Sequence, residues 1–267
     1  MSSKKYFSNK RVWITGASSG IGKEVALQLA EVTSQLIISG RNTETLEALR
    51  VHCKFPEKVM VVVMDQSSPE SVQQACDMVF SGRDTVDVVF CNGGVSQRAL
   101  SLDTSEEVER HIFETNYFSQ IQIAKRAAQS MDSSKGLHLV VTSSLLGKWG
   151  FPLRSSYAAS KHALHGYFDS LRMETKESGL RITLVLPGFI NTPISKNAMV
   201  EDGTLSASMD ANQADGISAF SCAQKIVAGV AAGKKEFSVG GKETLGLLFR
   251  RFVPQWFDKM LQRKNPR

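Results

Sequence analysis

Tyr157 and Lys161 stand four residues apart in Ser155-Ser156-Tyr157-Ala158-Ala159-Ser160-Lys161. On a helix that spacing puts both side chains on one face, one turn apart. The stretch from Tyr157 to Glu177 has few breakers and many good helix formers, so a helix is expected there. The chemistry open to such a pair is proton transfer. A free tyrosine titrates near ~10, and an ammonium within a few ångströms favours the phenolate and lowers that value. Bringing the phenol into the working range of an acid or base at neutral pH takes ~2–3 pKa units, roughly 3–4 kcal/mol. A buried tyrosine beside a surface lysine gives the same pattern, so the pair acquires meaning from what precedes it. Ser144 follows the apolar run Leu137 to Thr142, read as a strand. It therefore lies at a strand's C-terminal edge, where open parallel sheets bind ligands.

A second chemical signature lies near the start of the chain. Lys10 to Thr15 reads as a short buried strand, Gly16-Ala17-Ser18-Ser19-Gly20-Ile21-Gly22 follows, and a helix is expected from Lys23 to about Val32. Strand, glycine turn and helix in that order make a phosphate-binding loop. Gly16, Gly20 and Gly22 let the backbone approach a pyrophosphate, and the loop with Ser18, Ser19 and Ile21 presents N–H groups at the positive end of a helix. The spacing is G-x-x-x-G-x-G, for which a tight structural turn is the plain alternative; the flanking strand and helix favour the nucleotide. The second strand, Gln35 to Ser39, ends in Gly40-Arg41-Asn42. A dinucleotide fold meets the adenosine ribose here, and an acid would bind the 2′-hydroxyl of NAD. Arg41 stands there instead, and a guanidinium pairs bidentately with a 2′-phosphate. NADP is therefore the expected cofactor, a solvated surface arginine being the alternative.

The elements that must position these residues follow in alternation. Helix 44–53, strand 58–64 running into Asp65-Gln66, helix 69–80 and strand 86–91 closing on Asn92-Gly93-Gly94 come first. A long helix from about Ser105 to Met131 holds Asn116 in its middle, at a small propensity cost; a solvent-facing placement would explain it equally. After the Leu137 strand and the Tyr157 helix come strand Arg181–Leu186, stopping at Pro187-Gly188, and a polar stretch of about 193–220 with little periodicity. A stretch that long without clear structure reads as a functional loop or lid. Helix 221–232, strand 236–239 and an apolar, basic tail of about 242–267 end the chain. Alternating strands and helices with near-continuous Val/Ile runs imply an α/β fold: a Rossmann-type doubly wound parallel sheet of about seven strands, helices on both faces. With no repeat or linker, residues 1–267 are expected to form one domain.

Composition narrows the function classes. The 267 residues are 42% hydrophobic and 22% charged, ordinary for a globular chain. The formal charge is +6, and from Lys234 onward nine Lys/Arg face three Asp/Glu, which is 9 − 3 = +6 by itself. The rest is balanced, so a nucleic-acid partner is not expected. Cys53, Cys76, Cys91 and Cys222 lack metal-site or disulfide-framework spacing and read as reduced core thiols. Met1 to Lys10 has no apolar run of a signal peptide, and no stretch approaches ~20 apolar residues. A cytoplasmic location is the expectation.

In this order the motifs resemble the short-chain dehydrogenase/reductases, from about Lys10 to Val239. Thr15-Gly16-x-x-x-Gly20-Ile21-Gly22 matches the cofactor loop, Asp65 the position that contacts adenine, and Asn92 the motif after the fourth strand. Asn116, Ser144, Tyr157 and Lys161 match the active-site four, and Pro187-Gly188-x-Ile190-x-Thr192 the segment that holds the nicotinamide carboxamide. Ser143 to Lys148 and Tyr157 to Leu164 look like the 11β-hydroxysteroid dehydrogenase type 1 group, and Asn191 to Asp215 with the tail like its dehydrogenase/reductase member 7 relatives. The resemblance implies an NADP-dependent oxidoreductase interconverting a carbonyl and a secondary alcohol. Tyr157 would be acid or base, and Ser144 would hydrogen-bond the substrate oxygen. Lys161 would lower the Tyr157 pKa and hold the nicotinamide ribose, and Asn116 would hold a relay water. Cys91-Asn92-Gly93-Gly94 departs from the usual Asn-Asn-Ala-Gly, so altered packing with intact cofactor binding is expected. The apolar N-terminal segment of membrane-anchored relatives is not seen in this sequence.

Two other readings were open. A nucleotide-binding regulator without turnover would be favoured by loss of Tyr157 or Lys161, and both are present. A sugar-nucleotide epimerase or dehydratase would need a larger C-terminal substrate domain. In the tail, Leu245, Leu248, Phe249 and Phe252 make an apolar stripe at helical spacing, with Arg250, Arg251 and Lys259 beside it. Packing on the chain's own sheet or on a second subunit of a homodimer or homotetramer is the expectation; a peripheral membrane contact is the alternative.

Overall fold

A computed structural model describes residues 2–82 and 85–263; the last four residues of the expected tail lie outside the described residues. Six strands, β1 (Arg11–Thr15), β2 (Gln35–Gly40), β3 (Val59–Val63), β4 (Val88–Cys91), β5 (Leu137–Thr142) and β6 (Leu180–Pro187), join β9 (Glu236–Val239) in one sheet of order β3-β2-β1-β4-β5-β6-β9. Every pairing in it is parallel. Two short strands, β7 (Ile190–Asn191) and β8 (Ile217–Ser218), pair apart from it. All six residues of β5 are buried, which fits its mostly apolar sequence, interrupted by His138 and Thr142: both faces of a parallel sheet are covered.

The period-2 geometry of a strand divides the core. Val12 and Ile14 point to one face, covered by α1 (Ser3–Phe7), α2 (Gly20–Leu29), α3 (Thr43–His52) and α9 (Ala219–Ala231). Trp13 points to the other, covered by α4 (Pro69–Phe80), α6 (Ser119–Gln129) and α7 (Ser155–Glu174). The four cysteines are free and buried, and burial pushes the Cys91 and Cys222 thiols up to about 12.

Three details differ from the expectation. Helix α2 begins at Gly20 rather than Lys23, so the glycine turn is itself the helix's first turn. The expected helix 105–131 is broken into α5 (Glu106–Phe113), a π turn over Glu114–Phe118 and α6. The stretch 193–220 is not structureless: it holds a 3₁₀ turn, α8 (Ala211–Ala214) and β8, and Met199 bridges Gln97.

The tail forms α10 (Gly246–Phe252) and α11 (Pro254–Gln262), Pro254 starting the second. On α11, Phe257 is buried edge-to-face against Trp149 at 5.2 Å. The expected stripe does not pack on the sheet: Leu245, Leu248, Phe249 and Phe252 are all exposed. Pro254 turns the chain between the two helices, and α10 meets the body through Gly246 and Leu247 while α11 does so through Phe257.

Beneath the sheet, His138 on β5 is held by Tyr6 at 2.8 Å and Thr183 at 2.9 Å. Burial, with the Arg181 and Lys10 cations nearby, pushes it down to about 3. The unfolded ring takes a proton near ~6.5. Below that pH the unfolded chain binds more protons than the fold, so stability is lost as pH falls from ~6.5 toward 3. Thermal melts are expected to show a Tm falling with acid over this window and a shallower fall for His138→Gln; equal slopes would remove His138 from the acid response.

Candidate active site

The order reverses between β1 and β4, the switch point at which loops on a sheet's C-terminal edge part to make a crevice. A cavity of about 930 Å³ occupies it, lined by loops after β1, β2, β3, β4, β5, β6 and β9. Gly16, Ser18, Ser19, Gly20, Ile21, Arg41, Asp65, Asn92, Ser144, Tyr157, Lys161, Pro187, Gly188, Ile190 and Thr192 all line it. Gly22 and Asn116 do not, and each has a supporting place instead.

Gly16 adopts φ +63°, and a Cβ there would stand 2.5 Å from Gly93 Cα. The loops after β1 and β4 thus touch backbone to backbone, which only glycine permits. A Cβ on Gly22 would meet the Gly16 carbonyl at 2.3 Å. Asn92 ties three strands together: Nδ2 reaches the Thr15 and Gly16 carbonyls at 3.4 Å, and Thr142 donates to Oδ1 at 3.2 Å. Ser19 N-caps α2 without a side-chain hydrogen bond, so the first-turn N–H groups keep their capacity for an anion.

The Asn-Asn-Ala-Gly departure has a physical answer. A Cβ on Gly93 would fall 1.6 Å from Gln66 Oε1, so the Gln66 side chain fills the space a methyl would take. Gln66 is fixed by Ser119 at 3.0 Å, and Gln120 donates to the Gly93 carbonyl at 3.0 Å. Gly93→Ala is therefore expected to destabilise the fold by about 1–3 kcal/mol through overpacking. Denaturant titration should show most of this loss vanish in a Gln66→Ala background; a full loss there would mean the two residues do not share the space.

Asn116 is fully buried, not solvent-facing. Its Oδ1 accepts from Val95 N at 2.8 Å, and its Nδ2 donates to Val95 O at 2.9 Å and Ser160 Oγ at 3.1 Å. The π turn that interrupts the helix aims this amide between the loop after β4 and α7. π-turns are frequent at functional sites.

Tyr157, Ser144 and Lys161 line the cavity together. Ser144 ends the β5 edge, its Oγ accepting from Leu146 N at 3.1 Å. Lys161 is buried, its Nζ 5.8 Å from the Tyr157 ring centre and donating to the Thr142 carbonyl at 3.0 Å. Burial pushes that ammonium down to about 8. Burial also raises Tyr157 above its ordinary value, opposed by a hydrogen bond from Ser144 and the charge of Arg154. The spacing argument expected Lys161 to lower Tyr157; in this arrangement Lys161 faces Thr142, and the phenol is held protonated. Around Asp65, burial works against the charge. Two hydrogen bonds from Ser67, with Arg41 and His111 nearby, prevail and hold the carboxyl below its usual range.

Three supporting residues escaped the sequence. Helix α7 has no side-chain cap of its own; the buried Gln97 Oε1 accepts from Ser156 N at 2.8 Å and Tyr157 N at 3.3 Å. A cap of this kind is worth ~1 kcal/mol and fixes the turn that carries Tyr157. Arg154 donates to the Gln97 carbonyl and, at 3.3 Å, to Asp210 of the stretch 193–220. Glu243 accepts from Phe189 N and Gly241 N at 2.9 Å each, joining the Pro187-Gly188 segment to the tail. The one signal for Gln97 was the missing cap residue before Ser155. Part of the cavity wall is apolar, with Leu145, Leu146, Trp149, Phe151, Met199 and Leu205, alongside the polar Arg154 and Asp210.

A fold with the cavity at its switch point and a Ser/Tyr/Lys cluster in its lining defines a class, and comparison with known proteins identifies it. Residues 10–202 match the short chain dehydrogenase family, and the chain belongs to that family of oxidoreductases. Among curated proteins it is 36% identical to mouse dehydrogenase/reductase SDR family member 7B over 262 residues, covering 94% of this chain and 76% of that one. It is 31% identical to human dehydrogenase/reductase SDR family member 7 over 252 residues, covering 92% and 74%. Among solved structures, a Burkholderia cenocepacia short chain dehydrogenase in complex with NADP superposes with TM-score 0.79 at 21% identity, covering 96% of this chain and 98% of that one. A Burkholderia phymatum short chain dehydrogenase/reductase in complex with NAD does so with TM-score 0.79 at 21% identity, covering 96% of each.

Proposed function

We propose that this chain is an NADP-dependent oxidoreductase that interconverts a carbonyl and a secondary alcohol, with Tyr157 as the acid or base and a lipophilic substrate. The observation that carries the reading is the convergence of Tyr157, Ser144 and Lys161 on the same cavity that the glycine loop and Arg41 line.

The residues fit the cofactor. The uncapped first turn of α2 suits a pyrophosphate. Arg41 lines the cavity where β2 ends, with no carboxylate in Gly40-Arg41-Asn42 to take a ribose 2′-hydroxyl. Asp65 would meet the adenine, Lys161 the nicotinamide ribose, and the segment Pro187 to Thr192 the carboxamide. When bound, the nicotinamide supplies the hydride, and the protein supplies position and electrostatics. Tyr157, protonated at neutral pH, donates to the substrate oxygen in reduction and accepts from the alcohol in reverse. Ser144 donates a hydrogen bond to the same oxygen as its negative charge grows. Lys161 keeps a cation in a dry site beneath Tyr157. Asn116 holds the loop after β4 and α7 together through Val95 and Ser160, and its proposed further role is to hold a relay water between Lys161 and solvent. The apolar part of the cavity wall supports a lipophilic carbonyl.

NADPH consumption against a mixed library of carbonyls, and NADP⁺ reduction against alcohols, tests the reading. Turnover with at least one lipophilic member, and preference for NADP(H) over NAD(H), is the expected result. Tight NADPH binding with no turnover across the library would favour the regulator.

A further inference from the structure

Tail helices α10 and α11 have two sides with different fates. On the inner side Leu245, Gly246, Phe249, Phe257, Met260 and Leu261 line the cavity. On the outer side Leu248, Phe252 and Trp256 are 56%, 70% and 54% exposed. The Phe249 and Trp256 rings, 5.3 Å apart, join the two helices into one patch. Of the fifteen large apolar side chains exposed among the described residues, six fall between Leu245 and Trp256. A concentration of that kind marks an interaction surface.

The exposed charge around the patch is predominantly basic, with Asp258 the exposed acid among it. Lys242, Arg250, Arg251, Lys259 and Arg263 are exposed there. Arg250 pairs with Asp258 at 2.9 Å, and Glu243 is turned inward to Phe189 N and Gly241 N. The other four cations make no ion pair among the described residues. A second copy seated by a two-fold axis would set these cations against themselves. A surface that is apolar at its centre and anionic at its rim satisfies both features at once.

We infer that α10 and α11 dock on an anionic lipid bilayer, Leu248, Phe252 and Trp256 entering the headgroup–acyl boundary while the basic residues meet lipid phosphates and carboxylates. The docked helices also form part of the cavity wall, so docking sets that wall against the bilayer. Resting on the function proposed above, this places a lipophilic carbonyl's entry on the membrane side.

The test is co-sedimentation of the full chain with phosphatidylcholine vesicles, with and without phosphatidylserine, at low and physiological salt, alongside sizing in solution. The variants are Leu248→Ser/Phe252→Ser/Trp256→Ser and, separately, Arg251→Gln/Lys259→Gln; none of these residues lines the cavity. Each cation near an anionic surface is worth about fivefold in binding. The charge variant should therefore lose more than tenfold, the apolar variant at least as much, and the wild type should weaken as salt rises. Thermal melts of both variants should match the wild type, as expected for exposed positions. Equal sedimentation of wild type and variants overturns the inference. So does a wild-type oligomer that the apolar variant dissociates without any vesicle binding, which would assign the patch to a second copy. Vesicle binding is read without turnover, so it stands or falls apart from the catalytic proposal.

Discussion

Tyr157→Phe is expected to lower turnover by about a hundred- to ten-thousandfold while NADPH affinity stays within about twofold of the wild type. The substitution keeps the ring in its place on α7 and removes only the hydroxyl. That hydroxyl lines the cavity and carries a proton beside Ser144, and its burial keeps the proton on at neutral pH. In the proposed function the cofactor's phosphates are held by the glycine loop and Arg41, not by this ring. Steady-state turnover with equilibrium NADPH titration separates the two effects. A Tyr157→Phe enzyme within tenfold of wild type would remove Tyr157 from the chemistry, and a parallel loss of NADPH affinity would make its role structural.

What the sequence made legible follows a physical line. The bounds of α4 over Pro69–Phe80, β5 over Leu137–Thr142 and β9 over Glu236–Val239 are legible for separate reasons: Ser68 and Pro69 start the helix, β5 is buried on both faces, and β9 follows the glycine that ends the preceding helix. The glycine turn, Arg41 and Ser144 are legible because each sits at a strand's C-terminal end, and Tyr157 and Lys161 because their four-residue spacing puts them on one face of α7. The rest depends on contacts between distant residues. Gln66 filling the space at Gly93, and Gln97 capping α7, are separated along the chain by 27 and 59 or more residues, and no local pattern announces them. The π turn at Asn116 inserts one residue into a helix whose periodicity reads as continuous on either side. Lys161 was placed on the right face, but its direction is set by the Thr142 carbonyl, which helical spacing says nothing about.

Arg41→Ala is expected to weaken NADPH binding by about tenfold or more and to leave NADH binding within about twofold. A charge-assisted hydrogen bond contributes ~1.5–3 kcal/mol, and the 2′-phosphate is the one group on which the two cofactors differ. Arg41 lies where β2 ends and lines the cavity, and it makes no ion pair among the described residues that would compete for it. Its field reaches Asp65, whose carboxyl it helps hold charged, so the variant should also raise the Asp65 pKa. Raising salt should weaken wild-type NADPH binding more than the variant's, because exposed charge pairs are screened. A wild type that prefers NADH, or an Arg41→Ala protein with unchanged NADPH affinity, would move the cofactor preference elsewhere.

In the proposed reaction this cavity moves a hydride between a nicotinamide and a carbonyl carbon, with Tyr157 delivering the proton. The most direct measurement incubates the wild-type chain with NADPH carrying deuterium at the transferable position and the mixed carbonyl library, followed by mass analysis of the alcohols formed. The account predicts an alcohol with deuterium on its carbinol carbon, formed by the wild type and nearly absent with Tyr157→Phe. NADPH bound tightly, with deuterium found in no product from any carbonyl, would contradict it.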